Sequence, residues 1–394
     1  MIKLSIITIN YNNAEGLRKT LASVAAQTYT NIEHIIVDGG STDGSVEIID
    51  AYASDVARRA SGSVPAGGEG SCAAVEGQDT TPANGAQPLA TQDTTSPKAT
   101  PPHKVTWISE PDKGIYNAMN KGIEIALGRR NVNADHTSEP LSQDFQHSTF
   151  NIQQKSDYIQ ILNSGDILAA DDVTERMMAA LAAQCAEIKG ERLEVKGNEE
   201  VKGYRLEVKG NENGEADTPA SRLENCPAIF YGNMTKVNAA GKVVGKSGYT
   251  EYSLRQFYSS TLNHDCAYIR KDLFEEYGLY DENLKIVSDW KWYLQAIGLG
   301  RVKPEYVDID VTIFDDGGIS ETQLDRRAAE RRQVLEELLP PAVLWDYDTH
   351  AFEMEQMQRL RRWKLYPTVY FMERVLFKFE KWGVLHQSRT MYDV

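Results

Sequence analysis

Polar residues that can bind a ligand follow two apolar runs near the start of this chain. Thr8 and Asn10 end the first run, and residues 38–44, DGGSTDG, follow the second. Ligands of parallel sheets bind beyond the carboxyl ends of the strands, so the two clusters are expected to share one crevice. There the Asp38 carboxylate can accept a hydrogen bond from a base, and glycine lets the backbone approach a ligand. Each cluster alone is also typical of a β–α turn with a helix N-cap.

A third cluster opens the predicted helix at 114–127. Lys113 and Gly114 precede this helix, and Lys113 can meet a phosphate or simply be solvated at a helix start. Asn120 is an unusual choice in mid-helix unless it bonds to a neighbouring loop. Gly122 costs about 1 kcal/mol relative to alanine, which indicates close packing against a neighbour.

A fourth cluster, residues 163–166 with the sequence NSGD, follows the predicted strand at 158–162. The Asp166 carboxylate can ligate a divalent cation that bridges a diphosphate, because Mg²⁺ typically takes one or two carboxylates together with phosphates and water. Taken alone, the cluster is more typical of an Asx turn before the next helix.

The fifth group comprises His264 and Asp265, residues 280–282 with the sequence YDE, and residues 288–290 with the sequence SDW, which include Asp289. Asp289 begins a predicted helix at 288–298, where a carboxylate can act as a general base or cap the helix. His264 can contribute to a site or be a structural histidine.

The elements that must position these residues alternate between strand-like and helix-like runs, which predicts a parallel sheet with helices on its faces. The first strands are predicted at 4–9, 32–37, 105–108 and 158–162, and the first helices at 14–27, from 44 onward, 114–127 and 171–184. Later strands are predicted at 228–237, 243–247 and 306–314, and later helices at 250–258, 271–277 and 288–298.

Three polar segments interrupt this pattern, at about 61–103, 129–155 and 185–226. They contain few large apolar side chains, and long loops cost little free energy, so we expect them to be insertions on an intact core. The third contains a duplicated octapeptide, RLEVKGNE, at 192–199 and 205–212. We therefore predict one domain over residues 1–320, followed by an amphipathic helical tail over 321–394.

Composition restricts the partners and the compartment. The formal net charge of −15 argues against nucleic acid as a partner, because phosphate backbones require a basic face. The four cysteines form no CxxC pair, which favours unpaired thiols in a reducing compartment. No run reaches about 18 apolar residues, so we expect a cytoplasmic protein.

In this order, the five clusters resemble those of glycosyltransferase family 2, over about residues 1–318 outside the insertions. The resemblance implies the GT-A fold, an α/β architecture with a Rossmann-like mixed sheet flanked by helices. It also implies an inverting transfer of sugar from a nucleotide-diphosphate sugar, most often a UDP-sugar, to an acceptor hydroxyl in cell-surface polysaccharide or glycolipid synthesis. Residues 359–363, RLRRW, fit a pattern of processive members but lie outside the expected fold, so a non-processive bacterial type is expected.

The resemblance also implies roles for individual residues. Asp289 would be the catalytic base, and Asp166 would bind the divalent metal, Mg²⁺ or Mn²⁺. Asp38 would bond the base of the nucleotide. The residues implied in binding the nucleotide sugar are Thr8, Asn10, Asp38, Lys113, Gly114, Asn163 and His264.

Two positions depart from the family pattern. Ser164 replaces the first acid of the metal-binding motif, and Ser288 replaces the Glu that precedes the catalytic Asp. These departures keep one alternative open, a catalytically degenerate protein that binds nucleotide sugars. A sugar-1-phosphate nucleotidyltransferase is disfavoured, since it would need a basic, glycine-rich loop after the first strand.

The tail combines basic and aromatic residues. Between Met357 and Trp382 there are seven basic residues and only two acidic ones, Glu373 and Glu380. This pattern is typical of a helix at a membrane surface, and it predicts peripheral contact with the inner face of a membrane and a saccharide or lipid-linked acceptor. The alternatives are docking of the tail on the catalytic domain and pairing with a second subunit.

Overall fold

The computed structural model describes residues 1–60, 103–130, 132, 156–188, 223, 226–238, 240–315, 322–363 and 366–381. The chain divides into two compact units, Met1–Glu330 and Arg331–Val394. The first unit extends beyond the predicted boundary at residue 320. The predicted insertions lie almost entirely outside the described residues.

The strands are β1 (Leu4–Asn10), β2 (Ile32–Asp38), β3 (Lys104–Ser109), β4 (Tyr158–Ile161), β5 (Ile167–Leu168), β6 (Ile229–Val237), β7 (Val243–Lys246), β8 (Ala267–Arg270) and β9 (Pro304–Asp315). The helices of the first unit are α1 (Ala14–Ala25), α2 (Ser45–Ala60), α3 (Ile115–Ala126), α4 (Val173–Ile188), α5 (Leu254–Ser259), α6 (Asp272–Glu276) and α7 (Ser288–Tyr293). Helix α7 continues as a π-helical turn, Leu294–Leu299. Helix α8 (Leu324–Leu338) spans the division between the units, and α9 (Pro341–Arg361) and α10 (Tyr366–Lys381) follow it.

Four parallel strands form one half of the sheet, in the order β3, β2, β1, β4. Every residue of β1 and β2 is buried, as expected for strands that helices cover on both faces. The register pairs Asn10 with Asp38, and Asp38 with Ser109. The carboxyl ends of β1, β2 and β3 therefore stand level at one edge, and the shared crevice expected from the sequence lies there.

The other half contains antiparallel pairs, so the sheet is mixed. Strand β8 pairs antiparallel with β4 and with β6, whereas β6 and β9 are parallel. Strand β5 pairs with β9, and β7 with β6. The expected architecture, a Rossmann-like mixed sheet flanked by helices, is confirmed. Strands β5, of two residues, and β8, of four residues, were not predicted.

Helices on the two faces bury different sides of β1. Leu4 and Ile6 belong to the core shared with Val173 and Met177 of α4. On the opposite face, Gly122 of α3 lies against Ile7 so closely that a Cβ atom would overlap the isoleucine side chain. The close packing expected at this glycine is confirmed.

The expectation of unpaired thiols is wrong for two of the four cysteines. A disulfide joins Cys185 and Cys226, whose Cα atoms lie 4.5 Å apart. Their sequence separation of 41 residues gives no sign of this proximity. Cys266 is a buried free thiol, and Cys72 lies outside the described residues.

The ends of two predicted insertions also belong to the folded core. The third was placed at about 185–226, but helix α4 continues to Ile188. The first was placed at about 61–103, but His103 is buried beside β3. Among the described residues, no helix has both the length and the apolar character needed to cross a membrane.

Candidate active site

The Asp38 carboxylate organises the loop at the end of β2. It is fully buried and accepts hydrogen bonds from Asn10 Nδ2 (2.8 Å), Ser41 Oγ (2.6 Å) and Ser109 Oγ (2.7 Å), and from the backbone N–H groups of Gly40 and Ser41. Burial by itself raises the pKa of Asp38, but the bonds from Ser41, Asn10 and Ser109 outweigh it and hold the pKa below its ordinary value. The carboxylate is therefore ionised and fixes the loop through donors of the chain itself.

Thr8 lies one layer below this edge, in the interior. Its hydroxyl bonds to His34 Nε2 at 3.0 Å, and His34 Nδ1 lies 2.9 Å from the Tyr52 hydroxyl. Thr8 and His34 are both fully buried. Thr8 thus supports β1 from within, whereas Asn10 stands at the edge. Their implied part in the nucleotide pocket stays a prediction.

The loop that carries Lys113 and Gly114 lies beside the Asp38 loop. Gly39 approaches Asp112 so closely that a Cβ atom would overlap the carboxylate. Gly114 has a φ of 125°, which glycine adopts readily, and it precedes the first residue of α3. Lys113 is exposed at this rim. Tyr11, which sequence reasoning gave no role, is 65% exposed and flanks Gly39.

A loop over residues 280–289, here called the acid loop, is tied to helix α3. Asn120 donates to Tyr280 O (2.8 Å) and accepts from Tyr280 N (2.9 Å). Glu282 accepts from Asn117 Nδ2 (2.9 Å) and Asn120 Nδ2 (3.1 Å). The cross-loop bond expected for Asn120 is confirmed, and Glu282, which belongs to the fifth group but was given no role from the sequence, is a positioning residue.

Glu330 holds the acid loop from the opposite side. It is nearly buried and accepts from the backbone N–H groups of Lys285 (3.1 Å) and Ile286 (2.9 Å), while Arg326 Nε donates to it at 2.9 Å. Lys285 in turn donates through Nζ to Lys113 O at 2.9 Å. Nothing in the charged sequence of α8 distinguishes Glu330 from its neighbours, so sequence reasoning missed it.

Asp289 stands where the acid loop enters α7. Its Oδ1 accepts from the Tyr116 hydroxyl (2.8 Å), and its Oδ2 lies 3.2 Å from His264 Nδ1. Only 16% of the side chain is exposed. Burial raises the pKa of Asp289, but the bond and charge of His264 and the bond from Tyr116 outweigh burial and keep the pKa below its ordinary value. Asp289 is therefore an ionised carboxylate with fixed orientation.

His264 connects Asp289 to the segment that follows β4. Burial lowers the pKa of His264, but the bond and charge of Asp289 and the charges of Asp265 and Asp166 raise it to about 9. Its Nε2 lies 3.1 Å from Asn163 Nδ2, although the buried Asn163 Oδ1 has no partner among the described residues. A half-turn of the Asn163 amide places Oδ1 opposite Nε2, which satisfies both the charged imidazole and the amide oxygen.

Asp166 is fixed in a tight turn next to this pair. Its N–H donates to Asn163 O at 3.1 Å, its carbonyl accepts from Thr20 Oγ1 at 2.8 Å, and Gly165 has a φ of 112°. Within the described ranges, no group of three His, Cys, Asp or Glu side chains is arranged to hold a metal. The site therefore fits an ion held jointly by one carboxylate and the phosphates of a ligand, as Mg²⁺ often is, rather than a closed protein cage.

The charge of His264 gives a testable pH dependence. Its pKa of about 9 lies above the ordinary 6.5, so its contribution to stability is complete below pH 6.5 and is lost as pH rises through 9. We expect the stability advantage of the wild type over His264→Gln in urea unfolding to shrink between pH 7 and 10. NMR titration supplies an internal control, because burial and the charge of His103 lower the pKa of His34 to about 3. A His264 ring that is already neutral at pH 7 would contradict the assignment.

Comparison with known proteins gives one family. The model of glycosyl transferase family 2 matches residues 5–62. An uncharacterized glycosyltransferase of Mycobacterium tuberculosis is 32% identical over 126 residues, which is 32% of this chain and 30% of that protein. The chain thus matches less than a third of the length of this relative.

Two solved structures are similar at low identity. Staphylococcus aureus TarS 1–349 in complex with UDP has a TM-score of 0.43 at 13% identity, over 80% of this chain and 60% of that chain. The mannosyltransferase PcManGT of Pyrobaculum calidifontis, in complex with GDP-Man and Mn²⁺, has a TM-score of 0.41 at 13% identity, over 95% of this chain and 85% of that chain. Residues 5–62, which carry β1, β2 and the Asp38 loop at the sheet edge, are thus similar to glycosyltransferase family 2.

Proposed function

We propose that this protein is an inverting glycosyltransferase that moves a sugar from a nucleotide-diphosphate sugar, a UDP-sugar, to an acceptor hydroxyl. The observation that carries this proposal is the placement of Asp289, an ionised carboxylate oriented by Tyr116 and His264. His264 links it to Asn163, at the end of the strand that pairs with β1. The preference for UDP rests on the resemblance to family 2.

In the proposed reaction, Asp289 accepts the proton of the acceptor hydroxyl. The hydroxyl oxygen forms a bond to the anomeric carbon from the face opposite the diphosphate, and the bond from that carbon to the diphosphate oxygen breaks. This single displacement inverts the anomeric configuration. The Asp289 carboxylate accepts hydrogen bonds from Tyr116, His264 and the Trp290 backbone. A carboxylate has about four acceptor sites, so it keeps capacity for the substrate hydroxyl.

The neighbouring residues hold the charges that this reaction needs. The His264 imidazolium lies between Asp289 and Asn163, and it balances the carboxylate without removing its basic function. Asp166 would hold Mg²⁺ or Mn²⁺ together with the diphosphate. The ion would stabilise the charge that develops on the leaving group. Lys113, exposed at the same rim, is positioned to meet a phosphate.

The alternative is a protein that binds nucleotide sugars without turnover. Ser164 and Ser288 stand where the family pattern has acids, and the buried Ser288 hydroxyl has no partner in the described part of the chain. One carboxylate suffices as a general base, and two independent donors orient Asp289. This arrangement favours the enzyme over a protein that only binds nucleotide sugars.

Replacing the base separates the two functions. Asp289→Asn should lower transfer by about 10²–10⁴-fold and leave UDP binding nearly unchanged, because the amide cannot take a proton. Calorimetry with UDP and an assay of UDP release measure the two effects. Asp50→Asn, an exposed position on α2, is the control and should keep full activity. Near-normal turnover of Asp289→Asn would remove Asp289 from its role.

The metal assignment has its own test. EDTA should abolish transfer by the wild type, and Mg²⁺ or Mn²⁺ should restore it. Asp166→Ala should weaken the metal-dependent part of UDP binding, measured by calorimetry with and without the ion, since it removes the carboxylate ligand. Full activity of the wild type in EDTA would refute the metal site while leaving the role of Asp289 intact.

We further propose that the tail brings the enzyme to an anionic membrane surface, where cell-surface polysaccharide or glycolipid is made on a saccharide or lipid-linked acceptor. Helix α10 exposes apolar side chains beside the exposed Arg374 and Lys378, a combination suited to a membrane interface. The exposed apolar residues are Val369, Tyr370, Phe371, Met372, Leu376 and Phe377.

Co-sedimentation with phosphatidylserine-containing vesicles at low salt tests the tail. The double variant Phe371→Ser/Phe377→Ser should lose pelleting, because it removes two aromatic side chains that would enter the interface. Val243→Ser/Val244→Ser, which changes exposed apolar residues of β7, is the matched control and should pellet like the wild type. Equal pelleting of the two double variants would exclude membrane contact through α10.

A further inference from the structure

A row of five aromatic side chains runs from the helix of Asp289 to the surface. Trp290, next to Asp289, donates through Nε1 to Phe257 O at 2.8 Å. Phe257 begins the aromatic row, in which each ring contacts the next. The ring centroids are separated by 5.4 Å for Phe257–Tyr252, 5.7 Å for Tyr252–Tyr231, 5.4 Å for Tyr231–Tyr306 and 5.7 Å for Tyr306–Tyr249.

The topology places the outer end of this row at the edge of the candidate site. Strand β6 is antiparallel to β8, which is antiparallel to β4, so β6 runs in the same direction as β4. Strand β9 is parallel to β6, with Tyr231 paired to Tyr306 and Asn233 to Asp310. Because Ile229 and Ile159 both pair with Ile269, Tyr231 stands at the height of Ile161, the last residue of β4, and its partner Tyr306 stands at the same height.

Polar groups surround the outer rings. The Tyr306 hydroxyl donates to Asn233 Oδ1 (2.8 Å) and Asp308 Oδ1 (3.1 Å). Asn233 Nδ2 donates to Oδ1 of Asp308 (2.8 Å) and of Asp310 (3.0 Å), and Lys246 pairs with Asp310 Oδ1 at 2.6 Å. Within the described part of the chain all these bonds use Oδ1. Both acids are exposed, so their Oδ2 atoms can accept further bonds.

Two buried tyrosine hydroxyls lie in the interior near Asp289, outside this row. The hydroxyls of Tyr293 and Tyr280 have no partner among the described residues, and both side chains are almost completely enclosed. Burial and the charge of Asp289 raise the pKa of both hydroxyls well above the ordinary value, so both stay protonated.

These features together match the chemistry of a sugar ring. Sugars present apolar C–H faces that pack on aromatic rings, and hydroxyls that donate to carboxylates. Tyr249 is 70% exposed, which leaves its ring free to pack against such a face. Asp308 and Asp310 would repel a phosphate or carboxylate on the ligand, and Lys246 is already paired with Asp310.

We propose that Tyr249 and Tyr306, with Asp308 and Asp310, bind the acceptor and select an uncharged saccharide. This surface leads inward along the aromatic row to Asp289, which receives the acceptor proton. The inference rests on the proposed glycosyltransferase function, since it names the acceptor class of that reaction.

Saturation-transfer NMR on the full chain with UDP and Mg²⁺ tests the binding directly and needs no turnover. The probes are neutral methyl glycosides and oligosaccharides, each compared with its 6-phosphate. The wild type should bind neutral members, and Tyr249→Ala should weaken that binding about tenfold, the scale of a lost aromatic contact. Tyr249→Phe should restore it, because the ring is retained. Val244→Ala, at an exposed position of β7, is the control.

The outcomes separate this inference from the proposed function. Calorimetric UDP binding and UDP release into water should be the same in Tyr249→Ala and the wild type, whereas the acceptor KM should rise about tenfold. Asp308→Asn/Asp310→Asn should reduce the preference for neutral over phosphorylated saccharides. Preference of the wild type for phosphorylated probes, no saccharide binding, or unchanged binding in Tyr249→Ala would each overturn the proposal. Loss of UDP binding and turnover in the wild type itself would instead overturn the proposed function.

Discussion

The hydrogen-bonded ion pair between His264 and Asp289 is the interaction on which the candidate site depends. One imidazolium lies among the three carboxylates of Asp289, Asp265 and Asp166, in a largely enclosed region. Buried charges are tolerated only when they are paired and hydrogen-bonded. The imidazolium accordingly lowers the pKa of Asp289, whereas burial raises the pKa of Asp265. In the proposed function, His264 would connect the base to Asp166, the proposed metal ligand, more directly than their positions in the sequence suggest.

The acid loop connects Asp289 to helix α3 and to the loop that carries Lys113. The Glu282 carboxylate accepts from a side-chain amide of α3, and Lys285 Nζ donates to the carbonyl of Lys113. The backbone C=O and N–H of Tyr280 both bond to the side-chain amide of Asn120. The loop that carries Lys113 and the acid loop thus share one set of hydrogen bonds. A displacement of either loop would have to break several of these bonds, so the two loops are mechanically coupled.

The sequence predicts the parallel half of the sheet well, because long buried strands alternate with helices of clear periodicity. It also predicts the roles of Gly122 and Asn120, since each is an unfavourable residue in mid-helix that requires a specific neighbour. It does not predict that Thr8 is internal. Thr8 and Asn10 share a face of β1, and only the packing of Tyr52 and His34 decides how far along that face the interior extends. The disulfide and the short strands β5 and β8 arise from contacts distant in sequence, which local patterns do not encode.

Glu330 marks the end of the unit that carries the candidate site. The recognisable motifs end with Asp289, and the family resemblance fades by about residue 318, yet the carboxylate that accepts the backbone of the acid loop comes from α8. A gene fragment that ends at Asp289 would encode every side chain assigned to the proposed chemistry. It would still leave the backbone N–H groups of Lys285 and Ile286 without Glu330, their acceptor. The part of α8 up to Glu330 belongs to the unit that carries the candidate site. The junction of a fusion or a domain exchange should therefore follow Glu330.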